Sequence, residues 1–488
     1  MTAVMTAPKV GQRRAAASAP LAWLSERGMG ASVLVAAISS AFGVVLISAT
    51  GYIAAMLRAD PYIGDSGTLD FVLAVLTVLL VGVAVYVAAI VTANTFSTVI
   101  AGRTRRIALL RLIGASARAQ RSEVARQGLV VGAIGAFLGL IAGTAVAAAG
   151  VWAAGRMLGL GELDFTVVQP ALLIPAAIVS LTTWTAAWAG SRRVLTVTPL
   201  QALSGAAEAS HDQVSARTGR NVAAFGLFVA GGALLAGGIA VGLISPLGVV
   251  VAFGGGILSF TGLARGAALF MPPVLRLVGR LFGRSATARL AAENALRHPE
   301  RSSRMAIGVV MGVTLVTMFA VAIESVKAVI AASGGGVMPS ELETLLDSFA
   351  AIMMALVAVS AVIAGVGLVN LLTIGVVQRR RELGLLRALG VSNTQVRLMV
   401  LLEAAHATIA ALAAGLVLGI AYGWAGAQSL LGSVAMPPSW QAPTLVWPAV
   451  PLWPVVVIVA ATAVLTLVAA VVPTRLATRV APVEALAE

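Results

Sequence analysis

Two arginine-rich segments hold the most regular arrangement of chemically active side chains in this sequence. They cover residues 105–116 and 381–392, lie 276 residues apart, and read RRIALLRLIGAS and RELGLLRALGVS. Each segment follows one long apolar run and precedes another, so each is predicted to be a short amphipathic helix at a membrane surface. Such a helix can contact anionic lipid headgroups or a partner protein. Because the segment occurs twice at equivalent places, we predict that it docks onto a partner.

Ionisable side chains inside the apolar runs are few. Glu403 and His406 stand one helical turn apart, and a pair of this kind could relay protons. The position equivalent to Glu403 in the first half is Gln127, which does not titrate. A proton path would also need further acidic groups deeper in the membrane, and the sequence offers none there. We therefore favour a structural or coupling role for Glu403.

Metal, thiol and nucleotide chemistry are not expected in this chain. It has no cysteine, and its three histidines, His211, His298 and His406, are too scattered for a metal cluster. A P-loop needs a lysine after its glycines to reach the phosphates. Neither Lys9 nor Lys327, the only lysines, has that context. We predict no cofactor, no metal and no ATPase motif.

The composition indicates an integral membrane protein. Hydrophobic residues make up 59% of the 488 positions and charged residues only 11%, with a mean hydropathy of +0.99. A soluble domain of this length could not bury so much apolar surface. The net charge of +14 does not indicate nucleic-acid binding, because the arginines gather in short loops between apolar runs. The many Arg, Ala and Gly residues are typical of GC-rich bacterial genomes, so a bacterial plasma membrane is expected.

Ten apolar runs are long enough to cross a bilayer, since a span needs roughly 20 residues. Basic residues concentrate in the loops on one side and acidic residues on the other. With an even number of spans, this asymmetry places both termini in the cytoplasm. The predicted spans are 30–56, 71–98, 127–152, 169–190, 222–244, 246–270, 305–330, 348–376, 400–431 and 450–472.

The 276-residue shift relates more than the two basic segments. Glycines four residues apart let helix backbones approach closely in lipid, and asparagines within spans hydrogen-bond between helices. We therefore predict an all-α integral membrane fold with ten transmembrane helices, arranged as two parallel four-helix repeats joined by a two-helix hairpin. The residues that the shift pairs are Gly139 with Gly415, Gly143 with Gly419, and Asn94 with Asn370.

This arrangement divides the chain into five parts. A basic cytoplasmic tail with a lead-in helix comes first, and the first repeat, a cytoplasmic linker and the connecting hairpin follow. The second repeat, with its own lead-in helix, completes the chain. The predicted bounds are 1–29, 30–203, 204–221, 222–275 and 276–488.

Residues 379–390, RRRELGLLRALG, strongly resemble the signature that follows the second helix of FtsX-like permease domains. Residues 482–486, PVEAL, are similar to the end of the same domain. The first repeat is similar too, but it has Arg106 where the second has Glu382. Such domains are the membrane subunits of ABC systems, among them macrolide-efflux, lipoprotein-release, bacitracin-export and cell-division permeases. The resemblance covers 30–203 and 290–486.

The resemblance implies that each basic segment is a coupling helix seated in a groove of a separate ATP-binding subunit. Two copies of that subunit would bind one chain, and they would hold the ATP and Mg²⁺. Because Arg106 and Glu382 differ in charge, the two helices need not couple equally. Glycine is expected to end each helix in the left-handed conformation. The coupling residues implied are Arg105, Arg106, Leu110, Arg111, Gly114, Arg381, Glu382, Leu386, Arg387 and Gly390.

The function expected is export or extraction of a hydrophobic or amphipathic compound, whether lipid, peptide or drug, from among the membrane lipids. The segments after spans 1 and 7 are short, whereas relatives that use periplasmic adaptors carry a large domain at one of these positions. One alternative is a mechanotransmitter that passes ATPase motion to an extracytoplasmic partner without transport. Another is an ion- or proton-coupled transporter, which would need paired intramembrane carboxylates where only Glu403 is available.

Overall fold

The computed structural model of the chain is helical in the part that it describes, and that part contains no β-strand. The predicted span 348–376 falls almost entirely outside it, and half of the predicted span 71–98 does. The described residues are 29–59, 70, 73–75, 77–83, 85–86, 89–90, 116–157, 165–191, 218–280, 286–297, 299–334, 343, 346–347, 350, 380–435 and 440–479.

Eleven α-helices are bounded within the described residues, and the described positions of 73–90, called the 73–90 segment, are helical as well. A 3₁₀ turn at Pro170–Leu172 precedes the third helix. The helices are α1 Met29–Arg58, α2 Ala117–Met157, α3 Leu173–Gly190, α4 Thr218–Gly242, α5 Gly248–Arg265, α6 Ala267–Gly279, α7 Ala286–Arg297, α8 Pro299–Ser333, α9 Arg380–Ala388, α10 Asn393–Leu431 and α11 Leu452–Arg479.

Seven of these helices, α1 to α5, α8 and α10, are long and apolar enough to cross a bilayer. A chain in lipid must satisfy its backbone hydrogen bonds internally, and helices do so. Large apolar side chains such as Phe137 and Val417 are 61% and 69% exposed, which suits contact with lipid tails and not with water. The all-α integral membrane class is confirmed. The ten spans and the repeat arrangement stay predictions.

The helices do not coincide with the predicted spans at every boundary. Helix α2 begins ten residues before the predicted span, because Glu123 accepts side-chain hydrogen bonds from Arg126 and Gln127, each 3.1 Å long. Such pairs along one face support a helix outside the membrane. The predicted span 246–270 is divided, since α5 ends at Arg265 and α6 begins after Gly266.

Two groups of helices each pack around glycines in their central member. In the first group α2 packs against α1 and α3, and in the second α10 packs against α8 and α11. A Cβ added at Gly143 would lie 2.9 Å from Ala41 Cα. One added at Gly419 would lie 2.5 Å from Thr317 Cβ. The same helix surfaces hold Gly139 against the Ala37 carbonyl oxygen and Gly415 against Val313.

The largest apolar core joins both groups. It contains Phe42 of α1, Leu80 of the 73–90 segment, Phe260 of α5, Leu275 of α6 and Val310 of α8, all nearly or completely buried. The α4–α5 hairpin therefore belongs to the body of the protein through α5. Its other helix, α4, packs on α5 and α10 and leaves most of its surface exposed.

We predict that Gly419→Ala destabilises the protein. The added methyl group would overlap Thr317 Cβ, and overpacking of this kind costs about 1–3 kcal/mol. The measurement is thermal unfolding in detergent followed by tryptophan fluorescence. Gly426→Ala on the same helix is the control, because a Cβ there meets nothing within 4 Å. Equal stability of the two variants would contradict the packing described.

Candidate functional site

The short helix α9 covers the first eight residues of the second arginine-rich segment, 381–388. Glu382 lies in its first turn and Arg387 in its last turn, which places each charge at the helix end whose dipole it complements. The Gly390 backbone adopts φ +98°, and its N–H donates to the Arg387 carbonyl oxygen at 3.1 Å. A residue with a Cβ would be strained in this left-handed conformation. Gly390 therefore ends α9 as the sequence predicted.

Helix α9 and the turn after it expose apolar side chains beside their charges. Leu385 of the helix is 51% exposed, and Leu389, the first residue after Ala388, is 74% exposed. Glu382 is exposed as well, and Arg387 is half-buried. Exposed leucines bounded by charged groups are typical of a surface that contacts another protein.

A fixed turn joins α9 to the long helix α10. Ser392 and Gln395 form a capping box, in which the Gln395 N–H donates to Ser392 Oγ at 3.2 Å. The Ser392 N–H donates in return to Gln395 Oε1 at 2.9 Å. This reciprocal pair satisfies two backbone donors at the start of the helix. Only the residues from Leu389 to Val391 separate the end of α9 from this cap, so α9 has little freedom to move independently of α10.

The amphipathic helix α7 lies against the beginning of α10. Its Ala291 is fully buried against Val396, Met399 and Val400. Asn294 lies three residues after Ala291 on the same face of α7, and its Nδ2 donates to Glu403 Oε2 at 2.9 Å. Glu403 is only 5% exposed, so its carboxylate depends on such partners for its stability inside the protein. The lead-in helix and the helix that follows α9 are thus held together by a buried polar contact.

His406 bonds to a different helix from Glu403. Its ring is completely buried, and its Nε2 donates to the Leu275 carbonyl oxygen of α6 at 2.7 Å. A carbonyl oxygen can only accept, so the proton lies on Nε2. The ring packs closely on Gly279, where an added Cβ would lie 3.3 Å from His406 Cε1. The two ionisable side chains of this turn therefore attach α10 to α7 and to α6.

Sequence reasoning missed both of these contacts. The Asn294–Glu403 pair spans 109 residues and the His406–Leu275 pair spans 131, and no local spacing relates such distant positions. One signal was present, since Asn294 stands one turn from Ala291 on the apolar face of α7. A polar residue on that face needs a buried partner.

Several predicted site residues lie outside the described residues. For two others, Arg381 and Leu386, the structure describes the helix position and not the side chain. Of the first arginine-rich segment, 105–116, only Ser116 is described, and its Oγ accepts a hydrogen bond from the Ala119 N–H at 3.2 Å. The predicted residues outside the described part are Asn94, Arg105, Arg106, Leu110, Arg111, Gly114 and Asn370.

Comparison with known proteins gives one family. The family model for the FtsX-like permease C-terminal domain matches the chain twice, at residues 78–199 and 354–482. Together these segments are just over half of the chain. The chain belongs to the FtsX-like permease family. No match was found among curated proteins.

The family assignment makes this protein a multi-pass membrane permease of the ABC transporter class. Two matched segments agree with the two permease units predicted from the sequence. Helices α9 and α11 lie within the second segment, whereas the α4–α5 hairpin and helix α7 lie between the two. Glu403 of this permease is therefore held by a helix that the family model does not match.

We predict that Asn294→Ala destabilises the permease. Removing the amide takes a hydrogen-bond donor from the buried Glu403 carboxylate, and such a loss costs about 1–3 kcal/mol. Unfolding in detergent micelles at fixed protein concentration measures the change. Glu293→Ala is the matched control, because the neighbouring Glu293 side chain is exposed. A destabilisation of the control as large as that of Asn294→Ala would refute the assignment.

Proposed function

We propose that this chain is the membrane subunit of an ATP-driven exporter or extractor of hydrophobic or amphipathic compounds. ATP and Mg²⁺ are bound by a separate ABC ATP-binding subunit, and α9 is one of the helices on which that subunit docks. The observation that carries the proposal is a short helix with an exposed Leu385, followed at once by the exposed Leu389. A capped turn holds both at the end of a membrane-crossing helix. Family membership supports the association with an ATP-binding subunit.

Force on α9 would pass directly into the membrane region. Helix α10 has 39 residues and extends roughly 58 Å at 1.5 Å per residue, well beyond the roughly 30 Å hydrocarbon core. Its first turns bond to α7 through Glu403 and to α6 through His406. A movement of α9 would therefore displace three helices together.

The proposal includes two four-helix repeats and two docked ATP-binding subunits, with both termini in the cytoplasm. Two features support equivalence of the halves at a separation of 276 residues. Gly143 and Gly419 face Ala41 and Thr317, positions with the same shift. Ser116 caps α2 as Ser392 caps α10.

The halves also differ in ways that favour unequal coupling. Glu403 bonds to Asn294 on α7, whereas its counterpart Gln127 donates to Glu123 on its own helix at 3.1 Å. Arg106 replaces Glu382 in the first arginine-rich segment. The second half thus has a buried link between α10 and the lead-in helix.

We predict that Leu389→Asp weakens binding of the ABC ATP-binding subunit that partners this chain. A charge placed at an apolar contact of this kind costs about 2 kcal/mol or more of binding free energy. Titration of the purified subunit against the full chain in nanodiscs, with ATP hydrolysis as a second readout, measures it. Thr394→Asp is the control, because it adds the same charge at the exposed N-terminal turn of α10, where the helix dipole tolerates it.

Equal binding by Leu389→Asp and the unchanged chain would overturn the docking role of α9. ATP-independent transport by the chain alone would overturn the proposed function. Stimulated ATP hydrolysis without movement of any apolar probe in proteoliposomes would instead favour the mechanotransmitter, which acts on an extracytoplasmic partner.

A further inference from the structure

An apolar cavity of about 230 Å³ lies among the 73–90 segment and helices α5, α8 and α10. Each of these four elements contributes lining side chains, for example Leu80, Phe253, Met311 and Leu430 in that order. Leu235 of α4 also lines the cavity. The cavity therefore lies where the α4–α5 hairpin meets helices of the first and second halves.

The polar groups beside the cavity are already bonded. The Tyr86 hydroxyl donates to the Ile257 carbonyl oxygen at 3.1 Å and lies 2.9 Å from Thr261 Oγ1. The Tyr422 hydroxyl is hydrogen-bonded to Ser259 Oγ. Both bonds are made to α5, so the tyrosine rings and not their hydroxyls face the space. A ligand here would meet almost only hydrocarbon, and a polar group placed in it would lose its hydrogen bonds.

The size and shape of the cavity favour a chain. It is larger than the about 150 Å³ that encloses a benzene ring, and smaller than the about 300 Å³ at which pockets for drug-sized molecules begin. On α8 its wall runs from Met311 to Val326, a rise of roughly 22 Å. A narrow space of that length accommodates a single extended chain better than a compact ring system.

We propose that this cavity takes up one hydrocarbon chain of an amphiphile, and that α5 sets the length and width of chain that fits. The proposal rests on the proposed function, since it names the part of the cargo that the permease holds. The amphiphile is a bilayer phospholipid or a free single-chain molecule. Both carry the hydrocarbon chain that the cavity would bind. Helix α5 lies between the two segments matched to the family, so chain selection resides in the inserted hairpin.

Helix α5 is positioned to act in this way by its two tyrosine contacts. Tyr86 lies in the first matched segment and Tyr422 in the second. Their hydroxyls bond to Thr261 and Ser259, two residues apart on α5. Relative movement of the two halves would therefore pull on the helix that forms one wall of the cavity.

Two glycines permit a direct test, because each lines the cavity and each has room for a side chain. A Cβ added at Gly256 on α5 or at Gly426 on α10 meets nothing within 4 Å. Gly256→Leu and Gly426→Leu should thus fill the space from opposite walls without displacing the backbone. Gly254→Leu is the matched control, since Gly254 is exposed, lies two residues away on α5 and also has free space.

The probe is palmitic acid with a diazirine at mid-chain, photolysed with the full chain in phosphatidylcholine nanodiscs. Labelled peptides should contain Phe253, Met311 or Met318. Labelling there should fall by about tenfold in both filling variants and stay unchanged in Gly254→Leu. A second arm uses phosphatidylcholine that carries the diazirine in one acyl chain. Labelling by this lipid assigns the chain to the bilayer, and labelling by the fatty acid alone assigns it to a single-chain amphiphile.

Labelling confined to lipid-facing residues such as Phe137 and Val417, or unchanged labelling in both filling variants, would overturn the proposal. Thermal unfolding of each variant shows whether it is folded. Because Gly256→Leu and Gly426→Leu fill the cavity from different helices, the same loss of labelling in both supports filling of the cavity as the cause. The labelling needs no ATP-binding subunit. If labelling fails while that subunit still binds through α9, only the cavity assignment falls. If labelling succeeds while no subunit binds, the proposed function falls instead.

Discussion

The close approach of α10 to α8 is the contact on which the rest of this permease depends. Lipid tails are as apolar as leucine, so helices in a bilayer associate through van der Waals packing and not through expulsion of water. Gly415, Gly419 and Gly423 bring α10 directly against the backbone and side chains of α8. Helix α10 also packs against α4, α5, α6, α7 and α11. Its position relative to α8 therefore decides where the turn between α9 and α10, the polar contacts and the apolar cavity lie.

Polar contacts then fix α10 near both of its ends. At its beginning, Glu403 and His406 bond to α7 and α6. Toward its other end, the buried Gln428 donates to the Thr444 carbonyl oxygen at 2.8 Å and accepts from the Val446 N–H at 2.6 Å, so the segment that leads to α11 is held down. Between these ends the helix surface is mostly apolar or glycine-rich, and its Thr408 and Tyr422 hydroxyls are hydrogen-bonded to neighbouring helices, because an unsatisfied polar group there would cost several kcal/mol. The helix can transmit movement as a single body.

The hairpin gives the two halves different surroundings. Helix α5 bonds to Tyr86 and to Tyr422, and α4 packs its Gly242 against Ser429 of α10. Among the described residues α10 packs on both helices of this hairpin, and its counterpart α2 packs on α1 and α3. Together with the Asn294–Glu403 contact, this asymmetry makes the second half the more strongly connected one. Two similar sequence repeats can thus carry different mechanical roles.

The sequence by itself determined the membrane class, the family and the left-handed end of α9 at Gly390. Each depends on local properties: apolar run length, a contiguous motif, and a backbone conformation that only glycine adopts easily. Sequence also indicated the glycines that pack closely, though not the helices that they meet. Only the tertiary structure decided that Glu403 pairs with Asn294, that His406 pairs with Leu275, and that α5 closes an apolar cavity. These contacts join positions more than a hundred residues apart, and their geometry follows from how whole helices pack, which no local pattern encodes.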